Sequence, residues 1–493
     1  MSRKIRLGSA AAVLLAGLFV SAPALAAKGT CFGSPVTIKG DSGNNTLRGT
    51  SGDDVIDGKG GNDTIDGKGG DDVICGGNGK DTLNGGGGFD FVLGGGDNDV
   101  VKGGKEDDVV MGLLGNDELI GGPGTGDAAS FLFATGSINA NLATGRATGE
   151  GSDTFQDVER VFGSDQDDVI TGNEGFNALT GEGGDDQLFG GENNDILSGG
   201  LGNDTMDGQT GERDLAFYVF SATAISADLA GHSVTGEGND TIPNVEGVAG
   251  SPNDDTILGG PTHDLISGGG GDDLIDGRGG FDVAVYALSP GPVNVNLAQG
   301  NSTGDGTDTF RDLEAVYGTP FDDTMVGSAE DNVFFGDYGN DRMAGGAGND
   351  VFYPDLGDDE INGGIGPRDE IDFFLADGPV NVDMAAGTAS GDGSDSFTEV
   401  EFISGSEFDD TITGGPNTDY MMGGGGNDTL IGGEGDDAMD GELGDDSVDG
   451  GPGSDICRNQ ETAVSCEGQG GPTVNAYRDA SRSAGSFQRK RAH

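Results

Sequence analysis

The sequence predicts an all-β solenoid: stacked coils of nine-residue units, interrupted by four longer strand-rich units. Three observations lead there. An aliphatic residue recurs at every ninth position, from Ile38 through Leu47, Ile56, Ile65, Ile74, Leu83, Val92, Val101 and Val110 to Leu119. From Ile56 onward an aspartate stands two residues before each: Asp54, Asp63, Asp72, Asp81, Asp90, Asp99, Asp108 and Asp117. Glycine fills most of the space between, at 101 of 493 residues, too many for helix, and no long window carries a 3.6-residue period. Each unit has one aliphatic residue to bury, so it is stable only against its neighbours, which makes a stack.

The frame recurs in five blocks. Block 1 spans 27–122. Block 2 (164–211) carries Asp186, Asp195 and Asp204, block 3 (251–281) Asp273, block 4 (319–366) Asp341, Asp350 and Asp359, and block 5 (406–466) Asp428, Asp437 and Asp446. The fullest units read G-G-x-G-x-D-x-U-x, where U is a large apolar residue, as in Gly345-Gly346-Ala347-Gly348-Asn349-Asp350-Val351-Phe352-Tyr353. Between the blocks lie insert units at 123–163, 212–250, 282–318 and 367–405. They open on Asp127, Asp214, Asp282 and Asp369 and close on Glu159, Glu246, Glu314 and Glu401. Each holds an alternating run, such as Ile138-Asn139-Ala140-Asn141-Leu142 or Val293-Asn294-Val295-Asn296-Leu297. A period of two is the signature of a half-buried strand. The opening aspartates and the closing glutamates share one set of spacings, 87, 68 and 87 residues, as duplication of a two-part module would leave. One continuous stack is expected; at roughly 18 residues per coil and ~4.8 Å per strand it would be a rod of at most about 120 Å.

The ends differ from the frame. Arg3, Lys4 and Arg6, an apolar run from Ala10 to Val20 and the small residues Ala24-Leu25-Ala26 read as an export signal over 1–26, with no later stretch long enough to span a membrane. Residues 467–493 end in Arg489-Lys490-Arg491-Ala492-His493, a solvated terminus that could also touch an anionic cell-wall or surface polymer. Four cysteines behind an export signal suggest disulfides, Cys31 with Cys75 and Cys457 with Cys466; no Cys or His lies at zinc-ligand spacing beside either pair.

Charge narrows the chemistry. With 87 Asp and Glu against 24 Lys and Arg, the net charge is −63, which argues against nucleic acid as a partner. Such a composition also suits a disordered ion buffer, but disorder gives no reason to hold a nine-residue frame. Aspartates stacked at coil spacing repel one another unless dications neutralise them. Calcium takes six to eight oxygens in forgiving geometry, and Gly-rich turns supply both carboxylates and inward-curled carbonyls. With two units per coil, one face would stack Asp63, Asp81, Asp99 and Asp117, the other Asp54, Asp72, Asp90 and Asp108.

The recurring G-G-x-G-x-D-x-U-x unit resembles the RTX (haemolysin-type) calcium-binding repeats. The resemblance implies a parallel β-roll, calcium at the turns, and a chain largely disordered without it. Departures mark turns expected to be weaker or empty: Asn45, Asn177 and Asn332 replace the aspartate, Asp97 and Glu106 the fourth-position glycine, and Pro252, Pro261, Pro320 and Pro416 intrude. Any single aspartate could instead close an Asx-turn without metal.

Enzyme signatures are missing. His232, His263 and His493 are the only histidines, H-E-x-x-H does not occur, and the single G-x-S-x-G stretch, at 300–304, has no helix signal behind it to form a nucleophile elbow. The expectation is a secreted, non-enzymatic calcium-binding protein with a structural, surface or adhesive role. A hydrolase or lyase with its site in the insert units is the alternative. Self-association and the biological partner are left open.

Overall fold

A three-residue run with one apolar centre, bounded by glycine and Asx residues, makes a short strand and then turns. In the computed structural model the description covers residues 30–459 and 462–466, which fall into two compact units divided after Pro252. The export signal and the basic tail lie outside these residues. The described elements are all strands, and no helix among them is long and apolar enough to cross a membrane.

In the first unit, units of the frame alternate between two parallel sheets. One contains Val55–Asp57, Val73–Asn78, Phe91–Gly96 and Val109–Leu114; the other Thr64–Asp66, Thr82–Gly87, Val100–Lys105 and Glu118–Ile120. Ile56 pairs with Ile74 and Ile65 with Leu83, so the register advances by 18 residues, two nonapeptides per coil. This is the parallel β-roll that the resemblance to RTX repeats implies. The aliphatic row fills the space between the sheets: Ile56, Ile74, Leu83, Val92, Val101, Val110 and Leu119 are fully buried. Each such burial is worth roughly 1.5–3 kcal/mol. Ile38 and Leu47, in the first coil, are only half-buried. Cys31 is bonded to Cys75 beside this coil, and Cys457 to Cys466 near the other end of the described chain, the pairings the sequence suggested.

Each insert widens one sheet. In the first, Asn139–Asn141 runs antiparallel to Arg146–Thr148, which runs antiparallel to Ser152–Gln156. Ser152–Gln156 lies parallel to Glu118–Ile120, and Asn139–Asn141 parallel to Val169–Thr171, so the hairpin is sewn between two coils. Ile138, Ala140 and Leu142 point into the core, as the alternation requires. The opposite sheet gains no hairpin: Ala128–Ser130 pairs directly with Arg160–Phe162.

The second unit repeats this plan, with Asn294–Asn296 and Asn381–Asp383 in the insert hairpins. Its core is more aromatic. Phe334 and Phe352 stack at 5.4 Å inside the coil, while on the outer face of the same sheet Phe335 and Tyr353 stack at 4.7 Å among Val285, Tyr317, Val333 and Val351.

Candidate metal centre

The position-six aspartates form a ladder along each row of turns. The main-chain N–H of each donates to Oδ1 of the aspartate one coil on: Asp63 to Asp81 at 2.7 Å, Asp81 to Asp99 and Asp99 to Asp117 at 2.8 Å. The other face runs from Asp54 through Asp72 and Asp90 to Asp108, each at 2.8 Å. These are the two aspartate faces that a two-unit coil predicts. The bond orders the carboxylate, turns it inward and buries it; Asp72, Asp90 and Asp350 have no exposed surface.

The second oxygen tells more. Oδ2 is buried and accepts no hydrogen bond in Asp63, Asp72, Asp81, Asp90, Asp99, Asp108 and Asp117, in Asp186, Asp195, Asp204 and Asp273, and in Asp341, Asp350, Asp359, Asp428 and Asp437. Asp446 holds the same place, with the Asp428 N–H on its Oδ1 at 2.9 Å. Except in the Asp359 turn, where Pro354 stands at position one, Oδ2 faces the position-one glycine of its own unit, and in most turns the position-one carbonyl one coil on lies beside it. A Cβ built on Gly58 would lie 2.5 Å from Asp63 Oδ2 and 2.6 Å from the Gly76 carbonyl oxygen. On Gly94 it would lie 2.5 Å from Asp99 Oδ2 and 2.9 Å from the Gly112 carbonyl oxygen. A buried anionic oxygen beside a carbonyl, with no donor on it, costs free energy that a cation would remove. The donor set is all oxygen, which suits a hard cation such as calcium. Among the described residues no three acidic, His or Cys side chains converge on one point, so most of the oxygens offered are backbone carbonyls.

Burial governs the charge state. It pushes Asp90 up to about 7 and Asp99 and Asp108 up to about 8, against the opposing effect of the main-chain N–H on Oδ1; Asp341 reaches about 9 for the same reason.

A second kind of turn closes on itself. There the position-two N–H donates to the position-six side chain over 2.5–2.8 Å: Asp41 to Asn45, Thr50 to Asp54, Ser164 to Asp168, Asn173 to Asn177, Gly260 to Asp264, Thr319 to Asp323, Ser328 to Asn332, Ser406 to Asp410 and Gly415 to Asp419. Asp54, alone among the sequence's candidates, belongs here; the Thr50 N–H on its carboxylate holds it below the usual range. Asn45, Asn177 and Asn332 all lie in closed turns. Backbone conformation separates the kinds. Position two is left-handed in every open turn, even where it is not glycine, as at Lys59 (φ 74°), Leu113 (φ 65°) and Glu182 (φ 78°), and in none of the nine closed turns. Asp97 and Glu106, at position four, also take the left-handed conformation that their missing glycines would have held, at φ 73° and 68°.

Some site residues escaped the sequence frame. Oδ2 of Asp127, Asp214, Asp282, Asp369 and Asp455 is buried and undonated too. In three of these turns one extra residue precedes the aspartate, which sets Asp127, Asp214 and Asp369 at 19 rather than 18 residues from their ladder partners Asp108, Asp195 and Asp350. A search for G-x-x-G followed by one additional residue before Asp would have found them. The closing glutamates carry the ladder past each hairpin: Glu159, Glu246, Glu314 and Glu401 accept the N–H of Asp127, Asp214, Asp282 and Asp369 at 3.0, 3.0, 2.8 and 3.1 Å. The buried polar pairs of the inserts are ties: Tyr218 Oη donates to Asp240 at 2.8 Å, and Tyr286 Oη to Ser302 at 2.9 Å. His263 is a turn residue, its Nδ1 accepting the Phe281 N–H at 3.0 Å.

The model of one family, described as the RTX calcium-binding nonapeptide repeat, matches residues 39–126 in four overlapping stretches, 148–212 in three, 250–284, 317–352, and 395–457 in two, together more than half of the chain. No curated protein matches it.

Proposed function

Since the chain belongs to the RTX calcium-binding nonapeptide repeat family, we propose that it is an exported, non-enzymatic protein that folds on binding many calcium ions at its open turns. It would serve a structural, cell-surface or adhesive role. The observation that carries this is the row of buried, undonated Oδ2 atoms, most of them beside a carbonyl of the next coil. The position-six aspartates and the position-one carbonyls would hold the cation, which supplies positive charge and a bond between coils. Two like charges about 5 Å apart repel by ~3 kcal/mol at an effective dielectric of 20, so long rows of carboxylates favour the unfolded chain until they are neutralised. Linkage then makes binding free energy into folding free energy. Export is supported by the basic and apolar start of the sequence and by the two disulfides.

Calorimetric titration with calcium, paired with circular dichroism in chelator and in millimolar calcium, tests the reading. A gain of β signal with binding at many sites is expected. A spectrum that calcium leaves unchanged would rule out folding on binding.

A further inference from the structure

The closed turns are placed non-randomly. They include the first two turns of blocks 1, 2, 4 and 5, one on each face, and the second turn of block 3. We infer that these opening turns take no calcium and that the protein's own donors replace the cation there. The inference rests on the calcium reading of the open turns and restricts it.

Three independent features support it. First, the side-chain oxygen that would face the metal is already engaged by the position-two N–H, so the orphaned anionic oxygen of the open turns has no counterpart here. Second, the backbone differs in a way that one side-chain rotation cannot reverse, because position two stays out of the left-handed region in all nine. In seven of the nine, position two is Ser, Thr, Asn or Asp, and its side chain accepts the N–H of position four, as Thr319 does from Phe321 at 3.1 Å and Ser328 from Glu330 at 3.1 Å. The turn is thereby locked by two local hydrogen bonds. Third, the position-one carbonyl, which in open turns is offered to the cradle, meets a cationic side chain at three closed turns. Lys59 Nζ donates to the Gly40 carbonyl, Lys68 Nζ to that of Gly49 at 2.5 Å and Arg278 Nη1 to that of Gly259 at 3.0 Å. In block 1 this occurs on both faces. The first coils thus have an internal substitute for the metal, and calcium would begin at the third turn of a block.

Native mass spectrometry of the full chain in calcium counts the ions directly. Asp72→Asn, in an open turn, is compared with Asp54→Asn, in a closed one; the Thr50 N–H stays on the asparagine oxygen and the Thr37 hydroxyl can turn to accept from its Nδ2, so the second change keeps the cap. Asp437→Asn and Asp419→Asn repeat the comparison in block 5, where position 419 lies 18 residues past a closing glutamate as Asn177 and Asn332 do, so a variant that misfolds in one block leaves the comparison in the other intact. The open-turn variants should each lose at least one calcium relative to the parent, and the closed-turn variants none. Equal losses from both kinds, or none from either, overturn the inference. A parent chain that binds no calcium would instead overturn the function proposed above.

Discussion

Substituting Gly94 by alanine isolates the cradle. Its φ is not left-handed, so alanine meets no backbone strain; the cost is purely one of space. The new methyl would lie 2.5 Å from Asp99 Oδ2 and 2.9 Å from the Gly112 carbonyl oxygen, both closer than carbon and oxygen tolerate. Overpacking of this kind costs about 1–3 kcal/mol. If the same space holds a cation, the variant also forfeits that site's contribution, about 2.7 kcal/mol at calcium one hundredfold above Kd. The total in saturating calcium is then roughly 4–6 kcal/mol. The two parts separate by titration: the steric cost ignores calcium, whereas the lost site widens the gap between parent and variant by about 1.4 kcal/mol for each tenfold rise in calcium. Urea unfolding at several calcium concentrations reads this slope. Gly52→Ala, in a closed turn with nothing within 4 Å of its Cβ, is the control and should stay within about 0.5 kcal/mol of the parent. A gap for Gly94→Ala that does not move with calcium would refute the cradle as a metal site.

Three further outcomes follow from the same geometry. Phe352→Ala removes a fully buried ring stacked on Phe334 and should cost about 3–5 kcal/mol in urea unfolding with calcium present; a loss below ~1 kcal/mol would contradict the core described. Asp99, Asp108, Asp186 and Asp195 are raised from 3.8 to about 8 by burial, so the metal-free folded state binds more protons than the unfolded chain between about pH 4 and 8. The metal-free chain should therefore lose β structure as pH rises through that window, and a chelator-treated chain with more β signal by circular dichroism at pH 8 than at pH 5 would reverse the sign argued here. Replacing Cys31 by serine opens a loop of sequence separation 44 and replacing Cys457 one of 9, so loop entropy sets the costs at roughly 4 and ~2.5 kcal/mol; equal losses in thermal unfolding would point to strain instead.

The period made most of this fold legible before any coordinates. The buried aliphatic row and the insert strands follow from spacing, and the two aspartate faces follow once two units are taken per coil, as the β-roll of the resembled repeats implies. What escaped was local. The frame counts to nine, so one additional residue hid Asp127, Asp214 and Asp369, although their carboxylates sit as Asp63 does. The frame also treats Asp54 and Asp63 alike. Position two divides them: threonine in one turn engages the carboxylate, lysine in the next bends into the left-handed region. A φ angle is not a pattern in apolar residues, and reading it required the hydrogen bonds.

Each closing glutamate receives the N–H that an aspartate of the next coil would have taken. Its longer side chain spans the gap, so the hairpin is a detour that returns the chain to the point it left. A coil above such a detour meets the same bond as a coil above an ordinary turn. Whole hairpin cassettes could therefore be gained or lost during evolution with both flanking coils still matched.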